Sequence, residues 1–133
     1  MTPIQIATAI KARSLERLPW LAYYDGEVPA TPPGPYVVLT YALDAPTARR
    51  IDGSHSGRHP CQLMVVNDSI EGVRIAAARV ADEFDGWRPA PGLLCRYEGA
   101  SAPIKDEDVI GDYRYSLTLD LTIHTPKQRS SRV

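Results

Sequence analysis

The sequence predicts an α+β fold: a mostly antiparallel, twisted β-sheet packed against two main α-helices. Three stretches carry that expectation. In Asp112–His124, Tyr113, Tyr115, Leu117, Leu119, Leu121 and Ile123 alternate with Asp112, Arg114, Ser116, Thr118, Asp120, Thr122 and His124. Period two, with apolar groups on one side and polar groups on the other, is the pattern of a half-buried antiparallel strand. Val73, Ala76, Ala77, Val80 and Phe84 recur at helical spacing between Asp68 and Gly86, as the inward stripe of an amphipathic helix does. The remaining elements follow in the order helix, strands, helix, strands, with helices on one or both faces of a sheet.

The first helix opens at Thr2-Pro3-Ile4-Gln5. Thr2 can cap it, Pro3 suits a first helical position because its missing N–H is not needed there, and Gln5 can reach back to the cap. Ile6, Ile10 and Leu15 form its apolar stripe, and Pro19 ends it. Trp20–Tyr24 reads as a short strand. Glu27–Pro35, with four prolines and a glycine, reads as a stiff extended connection. Tyr36–Tyr41 is a continuous β-rich run that suits a strand buried on both faces. Ala42–His59 is polar and turn-rich around Asp52-Gly53, and Cys61–Val66 resumes as a strand. Asp68 and Glu71, three apart, suit a capping box for the second helix. Gly86 suits its left-handed stop, with Trp87 folding back on the last turn. Leu93–Tyr97 is another strand, and Gly99–Gly111 is a loop with an acidic cluster. Asp112–His124 would run about 40 Å if straight, against a radius of gyration of about 14 Å for a domain of this length. It is therefore expected to bend, carry a bulge or protrude as an edge open to another subunit.

The chain of 133 residues is 44% hydrophobic and 23% charged, with formal net charge −1. That fits one domain over residues 1–126 and a disordered basic tail over residues 127–133. Near-neutrality argues against nucleic-acid binding driven by bulk charge. No apolar run reaches the roughly 20 residues that span a bilayer, and no basic start with an apolar core marks a secretory signal. Two cysteines, Cys61 and Cys95, are too few for a disulfide framework. Both lie in apolar strand-like runs and read as reduced core thiols of a protein made in a cytoplasm.

Candidate chemistry is sparse. His55, His59, Cys61 and Cys95 contain the right atoms for zinc but lack the paired short spacings that hold four ligands in a tetrahedron. Cys61 lies near His59, yet nothing adjacent supplies an oxyanion pocket or a helix N-terminus to activate a thiolate. Asp106, Glu107 and Asp108 lack the spaced oxygen ligands and turn glycine of a calcium loop, and read as a solvated acidic contact loop. Arg49, Arg50, Asp52, His55, Arg58 and His59 form a polar contact loop with a local basic character. No glycine-rich phosphate loop is present, and the aromatics near the basic loop are too few for single-strand stacking. The residues therefore predict no enzyme, cofactor or metal.

The order of several segments resembles the tail terminator (tail completion) family of long-tailed bacteriophages. The resemblance covers about Thr2–Thr125. It rests on the capped N-terminal helix, the Pro-rich connection into Pro35-Tyr-Val-Val-Leu39, and a polar hairpin leading to Cys61-Gln-Leu-Met-Val-Val66. It continues through the alanine-rich helix with Arg74-Ile-Ala-Ala-Ala-Arg-Val-Ala81 and the final Tyr113-Arg-Tyr-Ser116 strand. It implies a structural virion protein of the tail or neck that forms a hexameric ring on the tail tube, stops its polymerisation and offers a surface for head joining. The implied partners are copies of itself, the tail tube protein and head-completion or neck proteins. DNA would pass through the lumen without sequence-specific contact, and no catalytic, cofactor or metal residue is carried over. Other readings are a head–tail connector or stopper, a small-molecule-binding α+β domain with a concave apolar pocket, and a metal hydrolase in which His55, His59 and His124 converge.

Overall fold

The computed structural model describes residues 3–26, 28, 35–41, 58–106 and 114–125. Helix α1 (Pro3–Arg17) buries Ile6 and Ile10, as their four-residue spacing predicts. The third inward position is Ser14 and not Leu15: Ser14 is 1% exposed and Leu15 51%. At about 100° per residue, Ser14 continues the column of Ile6 and Ile10, whereas Leu15 returns to the side of Ile4. Thr2 lies outside the described residues.

Leu18 and Leu21 are buried around the turn at Pro19, and strand β1 (Ala22–Asp25) follows. It starts two residues later than the sequence suggests, and Trp20 is left half-exposed before it. Strand β2 (Tyr36–Tyr41) pairs parallel to β1, with Ala22 opposite Tyr36 and Asp25 opposite Leu39. Tyr36, Val37, Val38 and Leu39 are all buried, so the first four residues of this strand are covered on both faces as the apolar run predicts, and Thr40 is exposed. Strand β3 (Arg58–Asn67) pairs antiparallel to β2 from Tyr36–Val66 to Tyr41–Cys61. It begins three residues before Cys61, so Arg58, His59 and Pro60 belong to a strand and not to the polar loop. Pro60 lies near the start of β3, opposite Thr122 of the last strand.

Helix α2 (Ile70–Phe84) carries the buried stripe Val73, Ala76, Ala77, Val80 and Phe84. Its cap is Ser69, not Asp68: Ser69 Oγ accepts the Gly72 N–H at 2.9 Å. The Asn67 side chain accepts the Asp68 N–H at 2.8 Å, one residue before the cap. Gly72 then occupies the position where a capping box has Glu or Gln. A Cβ there would come within 2.7 Å of Asn67 Nδ2 and 2.8 Å of Ser69 Oγ. At the other end Gly86 takes φ +83°, the left-handed stop that favours glycine, and Trp87 packs edge-on to Phe84 at 5.4 Å. Arg13 joins the two helices. Its Nε donates to Glu83 O at 2.9 Å, its Nη2 lies 3.6 Å from Glu83 Oε2, and its guanidinium sits 5.5 Å from the Trp87 ring centre.

Strands β4 (Leu94–Ala100), β5 (Ile104–Asp106) and β6 (Arg114–His124) complete the sheet, in the order β1-β2-β3-β6-β4 with β5 also on β6. The long strand is not a protruding edge. It is paired to β3 along one side and to β5 and then β4 along the other. The expected irregularity falls on its partner: Tyr97 faces Leu121 and Gly99 faces Asp120, leaving Glu98 as the extra residue of a bulge. The segment expected to be one loop from Gly99 to Gly111 thus contains the end of β4 and all of β5. Both helices pack on one face of the sheet, sharing a core with Val37, Leu39, Cys61, Leu63, Val65, Cys95, Leu117, Leu119, Leu121 and Ile123. Tyr36, Val38 and Val66 form a smaller cluster on the opposite face.

Two substitution tests follow from this layering. Burial of Leu119 contributes about 1.5–3 kcal/mol, and an unpaired buried carboxylate costs more. Leu119→Asp is therefore expected to unfold the domain, and Thr118→Asp, on the opposite face, to leave it folded; similar melting of the two variants would refute the assignment of faces. Ser14 Oγ is buried without a hydrogen-bond partner among the described residues. Ser14→Ala is expected to raise stability by about 1 kcal/mol, measured by urea denaturation.

Candidate functional site

Strand β6 sets where the two candidate contact loops leave the sheet. At its end, Arg58 is opposite His124 and His59 opposite Ile123. At its start, Asp106 is opposite Arg114. Eleven strand residues span about 33 Å, so the polar loop returns at one end of the sheet and the acidic loop departs from the other. Arg49, Arg50, Asp52 and His55 lie outside the described residues, as do Glu107 and Asp108. Arg58 and His59 open β3, and Asp106 closes β5. The Arg114 guanidinium stands 5.8 Å from the centre of the Tyr36 ring.

Register separates the groups that metal chemistry would need together. His59 pairs with inward Ile123, whereas His124 pairs with Arg58, so the two imidazoles belong to opposite faces of the sheet. Among the described residues no group of three or more His, Cys, Asp or Glu is placed to hold a metal ion. Cys61 faces Leu121 and Cys95 faces Ile123, with β6 between their strands. Two strand spacings amount to about 9.6 Å, beyond the roughly 7 Å limit for a disulfide. Cys61 Sγ points to the His59 carbonyl oxygen at 3.6 Å, a contact with backbone and not with an imidazole.

The face away from the helices is polar along its centre. Thr40 Oγ1 donates to Gln62 O at 3.2 Å, and Gln62 Nε2 donates to Asp120 Oδ1 at 3.0 Å. On the helix face, a groove of about 370 Å³ lies between α2 and strands β4 and β6. Ala77, Ala78, Ala81, Leu119 and Tyr97 line it, with Arg74, Asp82 and Asp85 among its polar groups. The sequence places Ala76 and Ala77 in the inward stripe of the helix. Both are buried, and Ala78 and Ala81 wall the groove. A period of 3.6 identifies the buried stripe but does not mark the neighbouring column as a surface.

Burial pushes both thiols up to about 12: Cys61 by burial alone, and Cys95 by burial foremost with Cys61 and Asp85 adding. Burial, then Asp25, also raises Tyr23. An unfolded chain releases its thiol protons near the ordinary value of 9.0, while the fold keeps them to about 12. Between those values the unfolded state binds fewer protons, so stability falls as pH rises. The contribution is complete below pH 9 and is lost towards pH 12. Thermal melts are expected to be insensitive to the thiols up to pH 9 and to decline above it, with a shallower decline in Cys61→Ala/Cys95→Ala. Both thiols are expected to resist an aromatic disulfide reagent at neutral pH until the protein is denatured.

No family model matches the chain, and no curated protein does. Among solved structures, it is similar to a chain from the virion of a native gene transfer agent particle, with a TM-score of 0.59 and 20% identity. The alignment covers 88% of this chain and 92% of that one, so the likeness is one of fold over nearly the whole length of both.

Proposed function

We propose that this chain is a structural protein of a phage-like particle, and that it caps the tail tube as a ring, ending polymerisation and offering the surface to which the head joins. The near end-to-end likeness of fold to a chain of a gene transfer agent virion carries this reading. The order of segments that resembles tail terminators supports the finer part of it. So does the placement of two loop bases at opposite ends of β6, Arg58–His124 at one and Asp106–Arg114 at the other. A cap needs two unlike ends: one must bind the last tube ring, and the other must give the next tube subunit nothing to bind. That is specificity by difference, in which the repulsive surface matters as much as the attractive one. The function requires no covalent step. A formal charge of −1 suits a ring through which DNA passes without being held.

Removal of the gene from a strain that makes the particle tests the proposal. The expected result is overlong or unregulated tubes and heads without tails, seen by negative-stain microscopy and restored by the wild-type gene. Tubes of normal length that fail to join heads would assign the chain to a connector or stopper position instead. Intact particles in normal number would refute a structural role.

A further inference from the structure

Two unlike surfaces of the subunit lie on opposite sides of it. One is the groove beside α2, above β4 and β6. The other is the outer side of α1, the helix that packs against β1 at the opposite end of the strand order. Ile4, Thr8, Lys11 and Leu15 fall within an arc of about 60° on that outer side, all four are exposed, and Ile4 and Leu15 are 79% and 51% so. A helix that turns large apolar side chains to solvent alongside its buried stripe presents a second contact face.

The geometry points to a head-to-tail seam between copies of this chain, in which the outer stripe of α1 from one copy lies in the groove beside α2 of the next. This rests on the ring reading above and says where the ring is joined. Charge selects the occupant. The exposed cation of the stripe is Lys11; along the groove the carboxylates of Asp82 and Asp85 stand towards the C-terminal end of α2, with Arg74 at the other end beyond Ala78. Lys11 and Leu15 are four residues apart, as are Asp82 and Ala78, a spacing of about 6 Å on each helix. With the two helices antiparallel, Lys11 beside Asp82 brings Leu15 against Ala78. Alanine walls let another helix approach closely.

Extension through the neighbouring sheet edge is blocked. Cys95 N–H donates to Trp87 O at 2.7 Å, Cys95 O accepts from Gly86 N–H at 2.8 Å, and Tyr97 N–H donates to Asp85 Oδ1 at 3.0 Å. The outer edge of β4 is thereby occupied by the chain leaving α2. Two different patches on opposite sides make a heterologous contact, which repeats around a ring when the rotation closes.

Charge exchange tests the seam. Lys11→Glu and Asp82→Lys are made singly and together, both at exposed positions, and folding is checked by circular dichroism. Self-association is measured by native mass spectrometry at the highest attainable subunit concentration. The expected result is oligomers of the wild type, association at least about tenfold weaker in each single variant, and recovery in the double variant and in an equimolar mixture of the two singles. Recovery in the mixture is specific to this seam, because each single variant supplies the sign that the other's reversed patch needs. A wild type that remains wholly monomeric, single variants that associate like the wild type, or singles that exchange does not rescue would each overturn the seam. So would an Asp82→Lys defect confined to binding a different protein. None of these outcomes is the one that refutes the structural role, which is read from particles in the deletion strain.

Discussion

Strands β3 and β6 are paired residue for residue from Arg58–His124 to Asn67–Tyr115, and the remaining elements take their places from that ladder. Its alternation puts Cys61, Leu63 and Val65 on the same face as Leu121, Leu119 and Leu117, and the two helices lie on that face. A shift of one residue would turn every one of those side chains to the other side. The Gln62–Asp120 hydrogen bond joins a directly opposed pair on the other face, where only the native register brings the two groups together. The same ladder carries the loop bases to the two ends of the sheet. Register thus connects the core to whatever the loops touch.

Much of this arrangement was legible because the main signals are periodic. The inward positions of β6 from Leu117 to Ile123, the buried stripe of α2, the two-sided burial of β2 and the Gly86–Trp87 stop are all set by local spacing and a single glycine. The differences arise where a neighbour changes a local preference. Asp68 and Ser69 are both good caps in isolation, and Ser69 is the one whose side chain accepts from the first turn, at the Gly72 N–H. Leu15 is the more apolar residue, yet rotation about the helix axis buries Ser14. Length implies that β6 bends, carries a bulge or protrudes. Two successive strands, β5 and β4, share its second edge instead, and the bulge at Glu98 belongs to β4.

The candidate site was less legible, for a physical reason. A catalytic or metal site draws on a few residue types with restricted geometry, and this sequence has no such set at a specific spacing. The proposed docking surface is built from ordinary alanines, an isoleucine, a lysine and two aspartates, whose significance depends on which column of a helix they occupy once the fold is made. The sequence assigns Arg58, His59 and Asp106 to loops because they adjoin polar segments. They are instead the ends of strands, positions that fix where a loop starts more firmly than the loop itself does.

A subunit proposed to end a polymer must also avoid starting one. Open sheet edges invite indefinite pairing, and here the β4 edge is closed by the backbone of Gly86 and Trp87 and by the Asp85 carboxylate. Its one bulge, with Gly99 at φ +146°, twists the same edge away from a straight ladder. The proposed contacts between copies use helix surfaces instead, where side-chain shape and charge limit which partner fits and at what angle. Backbone hydrogen bonding accepts almost any extended strand, whereas a groove with a carboxylate at one end accepts a particular column of a particular helix. In the proposed seam that difference would let copies join sideways without pairing through the β4 edge.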